Sequence, residues 1–509
     1  MPSKAKKQEQ NAAKVAELNK ALNSYKLSAS LDENTGLIKT LFEHVDLIVN
    51  REFENPKSGD KFCLFYCDGL VDSKAISSDI IRPLLSMEKT DGNSLAAAKN
   101  SLLIASDVNE TGDVAELVHE LTYGGALLFA EGSDKALIIG SRNFPVRSIS
   151  EPDSERIIKG PRDGFIESIA PNLSLIRRRL RTNQLKIKIR KMGRKTSTSV
   201  AVCYIEDLVE PKILSDLEQR LDRVDIDGIL DSNYIVEHIA EKSVFGFQTC
   251  GYTEKPDVVT ARLLEGRIAI FVDGTPVVLT APYMFMENFR SSEDYYMGPI
   301  YGSFTRLIRI FGFFASIICL GLYVTIVAYH QEILSEMLVI NLVKENRVVP
   351  FTFSVEGTIM MLIFDILRET GVRMPSQTGQ SLSIVGALVI GQAAVAANLV
   401  SSAIIIVVGF AGITALLVPK LASSTIICRY FLLFLGSIFG LMGMSIGIFI
   451  IMSHLLGLKT FGEDYIFIPP KFDLQYIKDS FFRAPIPSMI ERVPFNLNRF
   501  RSSLRNSDL

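Results

Sequence analysis

Ten lysines and arginines and no acid lie between Arg177 and Lys195, a carboxamide, Gln392, sits inside an apolar stretch, and Glu293, Asp294, Glu356 and Asp365 border or interrupt apolar runs. These are the residues whose types and spacing could do chemistry. A basic run of that density could hold phosphates. The alternation Lys186, Ile187, Lys188, Ile189, Arg190 instead predicts a strand with one charged and one buried face, hence a solvated face, a subunit contact or a surface toward anionic headgroups, and no nucleic acid. The four carboxylates have no histidine or nucleophile at a recognisable spacing, and GDKFCLFYC is not a phosphate loop, so the sequence offers no enzyme. Five histidines are dispersed with no pair at ligand spacing, and six cysteines (Cys63, Cys67, Cys203, Cys250, Cys319, Cys428) are scattered as free buried thiols. No metal and no cofactor is implied.

The elements that must position these residues fall into two halves. With 509 residues, 48% hydrophobic content and mean hydropathy of +0.25, the chain is long enough for two or three domains and too apolar to avoid a bilayer. Its net charge of -2 gives no global attraction to polyanions. The opening MPSKAKKQEQ lacks the apolar core of a signal peptide, which keeps the first half on the side of synthesis; residues 1–34 read as a polar arm. Residues 35–150 read as a first α/β subdomain: helical spacing over 37–49 and at Ile76, Ile80, Ile81, Leu84 and Leu85, a strand in KFCLFYC before the Asp68-Gly69 turn, and a hairpin in GALLFAEG and KALIIG. Residues 151–260 read as a second, with strands at 186–190 and 199–206 and a helix whose apolar positions are Ile213, Leu214, Leu217, Leu221 and Val224. Residues 267–286, broken by Asp273, Gly274 and Pro276, predict a hairpin within a membrane-proximal segment, 261–303.

From residue 304 to 458 the pattern is that of a polytopic membrane domain. IFGFFASIICLGLYVTIVAY (310–329) is charge-free and long enough to cross, and Arg306 and Arg309 before it place its start, with the N-terminal half, in the cytosol. Further apolar runs cover 382–399, 402–418 and 426–452. Residues 352–369 carry Glu356 and Asp365 on opposite sides of a helix and predict an interfacial or bundle-packed helix. The fold class is therefore an α/β cytosolic N-terminal region of two small subdomains followed by an all-α polytopic membrane domain of four spans, with the tail 459–509 in the cytosol; a crossing by 352–369 makes five and puts the tail outside. On a helix, Val385, Leu388, Gln392 and Val395 share one face, and Gly386, Ala393 and Ala397 flank it. An amide in hydrocarbon is costly unless bonded or wet, so Gln392 is either interhelical glue or part of a pore lining with Leu388 and Val385 as an apolar constriction.

Several stretches resemble one family in order: KGPRDGFIESIAPNLSLIRRRLR (159–181), TEKPDVVTARLLEGRIAIFVDGTPVVL (253–279), SSEDYY (291–296), YHQE (329–332), VPF (349–351), RETGVRMPSQTGQSLSIVGALVIGQAAVAANLVSS (368–402) and FGEDY (461–465). They are similar to the motifs of the A subunits of bacterial spore germinant receptors, the GerA family. The resemblance implies a multi-pass protein of the inner spore membrane working with a transporter-like B subunit and a lipoprotein C subunit. It also implies a homo-oligomer, a pentamer in the family's usual form, opening as a nutrient-gated ion channel. On that implication Val385, Leu388, Gln392 and Val395 line the pore, and Arg177, Arg178, Arg179 and Arg181 with Glu254 are candidates for an interface salt bridge. A secondary transporter and a non-conducting scaffold are the rival readings. The sequence departs from the family at Ala396, where many relatives have an acid or amide, at Gly357, at Met361, and at Lys255, where an arginine is common. The missing carboxylate beside the pore face puts conductance and cation preference in question, and a relative acting later in germination with a different partner fits as well.

Overall fold

The structure is a computed structural model, and it describes residues 25–87, 94–101, 108–140, 155, 157–373, 389–466 and 479–488. The chain divides into two compact units; among the described residues the first takes 25–239 and 250–282, the second 240–249 and 283–488.

The first unit holds one fold twice. Helix α1 (Leu31–Leu41) precedes strands β1 (Ile48–Glu54) and β2 (Lys61–Cys67); β3 (Val108–Thr111), α2 (Val114–Thr122), β4 (Gly125–Ala130) and β5 (Ala136–Gly140) complete a five-stranded sheet of order β1-β2-β4-β5-β3. Helix α3 (Ile169–Arg179) then precedes β6 (Leu185–Met192) and β7 (Thr198–Ile205). After α4 (Pro211–Asp222) come β8 (Gly251–Thr253), α5 (Pro256–Leu264), β9 (Ile268–Val272) and β10 (Val278–Ala281), in the order β6-β7-β9-β10-β8. Every pairing in both sheets is antiparallel, and the two orders are the same when each sheet is counted from its own first strand.

Local chemistry explains the elements. Asp113 caps α2 by accepting the Ala115 N–H at 2.9 Å. Helix α4 starts on Pro211 and buries Ile213, Leu217 and Leu221, one position per turn. All five residues of β9 are buried, because this strand is central and covered on both faces. The two sheets share a core in which Leu47, Cys67 and Leu70 from the first pack with Leu173, Ile176, Ala201 and Phe271 from the second. Gly69 lies at a close approach between them: its φ is +77°, its carbonyl accepts the Ser174 hydroxyl at 2.7 Å, and a Cβ there would stand 2.7 Å from that oxygen.

Two expectations change. The helical spacing over 37–49 splits, since α1 ends at Leu41 and residues from Ile48 form β1. Ile38, Leu41, Phe42, Val45 and Leu47 are buried and Leu37, Ile48 and Val49 half-buried, but a run that short fits either period. The hairpin over 267–286 exists as β9 and β10, yet it is integral to the second sheet rather than to a separate membrane-proximal segment.

The second unit is helical: α6 (Pro299–Tyr329), α7 (Glu336–Asn346), α8 (Phe353–Arg373), α9 (Ser402–Ala415) and α10 (Ala422–Gly457). Two segments, Pro299–Tyr329 and Pro419–Gly457, are long and apolar enough to cross a membrane by length and composition. The second is not one rod. Gly440 has φ 63° and ψ −145°, outside the helical region. A Cβ on Gly447 would lie 2.6 Å from Leu432 Cδ2, whereas fifteen residues of straight helix would separate those positions by about 22 Å. α10 is thus two arms folded back at Gly440, and the apolar run 426–452 is a helical hairpin, not a single span. Gly436, Gly443 and Gly447 let the arms touch: a Cβ on Gly443 would fall 2.1 Å from Leu435 O.

Candidate functional site

In the second unit α8 presents two acids to two different neighbours. Glu356 is fully buried; it accepts the Ser401 N–H and, at 2.7 Å, the Ser401 hydroxyl, capping the start of α9. A carboxylate there meets the positive end of the α9 dipole. Its Oε2 has no hydrogen-bond partner among the described residues. Asp365, nine residues on and on the opposite side of the helix, accepts Arg429 Nη2 at 2.8 and 3.0 Å and the Tyr430 hydroxyl at 3.0 Å, with Arg368 Nη2 at 3.8 Å. Arg429, on the first arm of the hairpin, is fully buried and leaves Nε and Nη1 unbonded among the described residues. The opposite faces of Glu356 and Asp365 are legible in their spacing, whereas Arg429 lies inside an apolar run that gives no local sign of a charge partner.

A third charged group anchors the start of α6. Asp294 is buried between Arg306 Nε at 3.4 Å and the guanidinium of Arg309, whose Nη1 is at 3.0 Å. Arg306 also donates to Asp479 O at 2.6 Å. These arginines, read in the sequence only as a topology signal, are here part of the packing.

The pore candidates fall on a helical stretch described from residue 389. Val385 and Leu388 lie outside the described residues. Gln392 is exposed, as are Ala393, Ala396 and Ala397, with Val389 and Leu399. Val395 is half-buried against the cluster of Leu320, Val324, Met361 and Ile404. Gln392 and Val395 thus sit in different environments within one chain: the amide faces outward and the valine leans on the bundle.

The interface candidates are dispersed in the first unit. Arg177 is fully buried and donates to Thr182 O at 3.0 Å and Leu185 O at 3.2 Å, so it ties α3 to β6; burial lowers its pKa. Arg179 pairs with Asp163, and Arg178 lies 3.9 Å from the same carboxylate. Arg181 stacks its guanidinium 3.7 Å from the centre of the Tyr123 ring. Glu254 is half-buried, its main chain bonded to Phe165 and Glu155. The basic strand beyond is matched locally: Lys188 with Glu218 at 2.9 Å, Arg190 with Asp222 at 2.8 Å, and buried Lys186 with Glu206 at 3.3 Å. Acids on α4, 25 or more residues downstream, supply two of those partners, which a local reading of 177–195 misses.

A duplicated antiparallel α/β unit joined to a helical unit with two apolar segments and paired buried charges defines a membrane-associated protein of two parts. A family model described as Bacillus/Clostridium GerA spore germination protein matches residues 36–495, and the chain belongs to that family. It is 39% identical over 472 residues to the uncharacterized membrane protein YfkQ of Bacillus subtilis, spanning 92% of this chain and 91% of that protein. It is 38% identical over 425 residues to spore germination protein KA of the same organism, spanning 83% and 78%. Among solved structures, the N-terminal domain of the A subunit of the Bacillus megaterium spore germinant receptor GerK3 is 32% identical, with a TM-score of 0.41, over 51% of this chain and 98% of that chain.

Proposed function

We propose that this chain is the A-type subunit of a nutrient germinant receptor of the inner spore membrane, and that its copies surround a gated ion pathway lined by the face that carries Gln392. The observation that carries this reading is the exposure of Gln392, with the small residues Ala393, Ala396 and Ala397, on a helical unit that also exposes many large apolar side chains, among them Val389, Leu399, Ile406 and Phe410. Lipid is a poor neighbour for a carboxamide. A second copy or a water-filled lumen satisfies it, and small residues let copies approach closely. On this reading the face extends back through Leu388 and Val385, Arg178, Arg179, Arg181 and Glu254 lie toward subunit contacts of the N-terminal units, and transporter-like and lipoprotein subunits complete the receptor. The assembly is a ring of the pentameric kind, with the N-terminal unit cytosolic.

Single cysteines along 385–399, in a background without the native six, test it with a small water-soluble thiol reagent applied before and after nutrient. The reading expects periodic reactivity at 385, 388 and 392 that rises on nutrient addition. Uniform protection in both states identifies a buried packing helix and a non-conducting scaffold; flux that saturates with a transported substrate identifies a transporter.

A further inference from the structure

Where α6 ends and α8 begins, the second unit encloses a half-open cavity of about 150 Å³. Its apolar wall is Val327 from the last turn of α6, Leu334 from the connection, Val339 and Leu342 from α7, and Phe353 at the start of α8. Two polar side chains join them. Gln331 donates its Nε2 to Val327 O at 2.9 Å, which fixes the amide and leaves its carboxamide oxygen as an acceptor. Arg347, one residue past α7, is exposed, and its guanidinium has no partner among the described residues. YHQE and VPF, two stretches of the sequence with no part in the channel reading, flank this cavity.

We propose that this cavity binds a small carboxylic acid whose branched or ring hydrocarbon group fills the apolar wall while its carboxylate pairs with Arg347. Size sets the hydrocarbon: a cavity of about 150 Å³ lined by leucine-like and phenyl groups accommodates a ring of about six carbons. Charge sets the head group, because a guanidinium with five donors and no internal acceptor prefers a planar oxyanion. The Gln331 oxygen can accept one N–H from a ligand that also carries an amine. Bound there, the ligand would bridge α6, α7 and α8; in α7 Leu342 is buried, while Met337, Leu338 and Ile340 stay exposed. The site stands on this geometry alone; only a coupling between its occupancy and ion flux rests on the receptor reading.

The test uses the full chain in lipid nanodiscs and ligand-observed NMR with 4-methylpentanoate, 4-methylpentan-1-ol and hexadecanoate. The acid should bind at least about tenfold more tightly than the alcohol. Arg347→Gln should remove that preference without moving the thermal midpoint, since the side chain is exposed, and Val339→Phe should fill the cavity and weaken both small ligands. Equal binding of acid and alcohol, no binding of the acid at millimolar concentration, or insensitivity to Val339→Phe would overturn the proposal. Tighter binding of hexadecanoate would overturn it too, in favour of an acyl chain from the bilayer. Because the assay reads binding and not flux, it can fail while the channel reading holds, and the reverse.

Discussion

Arg429 and Asp365 have the most to lose at the scale of single residues. A fully buried guanidinium whose Nε and Nη1 are unbonded among the described residues is tolerable only because Asp365 takes its Nη2 through both oxygens. Asp365→Asn should therefore destabilise the helical unit by about 3–5 kcal/mol, and Arg429→Met by a comparable amount, because either change strands one charge. The double change should recover much of that, read as thermal midpoints in detergent over a full mutant cycle; additive losses would show that the two residues act separately. Glu356 differs, since its anchors are a backbone N–H and a hydroxyl, and no cation shares its site among the described residues. In the first unit burial raises Cys63 to about 12, Cys67 to about 11 and Cys250 to about 12. An unfolded thiol ionises near 8.5, so between roughly pH 9 and pH 12 the unfolded chain loses protons that the folded chain keeps, and stability falls as pH rises through that window. At pH 8 these thiols should react with a soluble disulfide reagent on the order of a hundredfold or more slower than a free cysteine, and at the free rate once urea unfolds the chain. Fast native reaction of Cys67 would mean that the shared core opens readily.

At the scale of elements the hairpin of α10 makes the sharpest claim. Gly440 adopts a backbone that only glycine enters without strain, so Gly440→Ala should cost about 1–3 kcal/mol. Cysteines placed at 432 and 447 should cross-link under mild oxidation, since these positions meet across the fold, and a straight helix would hold them about 22 Å apart and leave them reduced. The sequence hid this turn because every residue of 430–452 except the serines is apolar or glycine, and hydropathy does not distinguish a 36-residue rod from two arms of half its length. The spacing of Gly436, Gly440, Gly443 and Gly447 was the signal available. The strands were easier: KFCLFYC, GALLFAEG, KALIIG and the basic strand 186–190 alternate or run apolar between turn residues, and all four are strands. The repeat of one topology in the two sheets was invisible, because a shared strand order leaves no shared residues when any apolar set of the right period can fill the core. Of the candidate site, the amide of Gln392 stood out in the sequence, which left open whether it packs between helices or faces outward. The partners of Glu356 and Asp365 could not, since they come from 45 and 64 residues further along the chain.

At the scale of the whole molecule the helical unit constrains where its two ends emerge. The chain leaving the hairpin returns to the start of α6: Phe285 N–H donates to Tyr465 O at 3.1 Å, and the Phe285 and Tyr465 rings lie 5.9 Å apart. The hairpin tip lies at the other end of α6, where the Tyr329 hydroxyl donates to Ser437 O at 2.6 Å and a Cβ on Gly440 would lie 3.4 Å from Tyr329 Cγ. Helix α8 begins at that same far end, with Gly357 beside Leu320 and Val324, and reaches Arg429 and Gly412 through Asp365 and Phe364 lower down. If α6 crosses the bilayer, the hairpin crosses and returns beside it, and the segment Lys459–Asp464 must lie on the side where α6 starts, with α7 on the opposite side. An even number of crossings follows, whatever path is taken by 374–388. Reporter fusions should separate the outcomes: fusions after residue 298 and after residue 466 should report one side, and a fusion after residue 346 the other. A fusion at 466 that reports the side of 346 would mean an odd number of crossings, which is incompatible with Tyr465 packing on Phe285, and the hairpin at Gly440 would then have to open in the membrane.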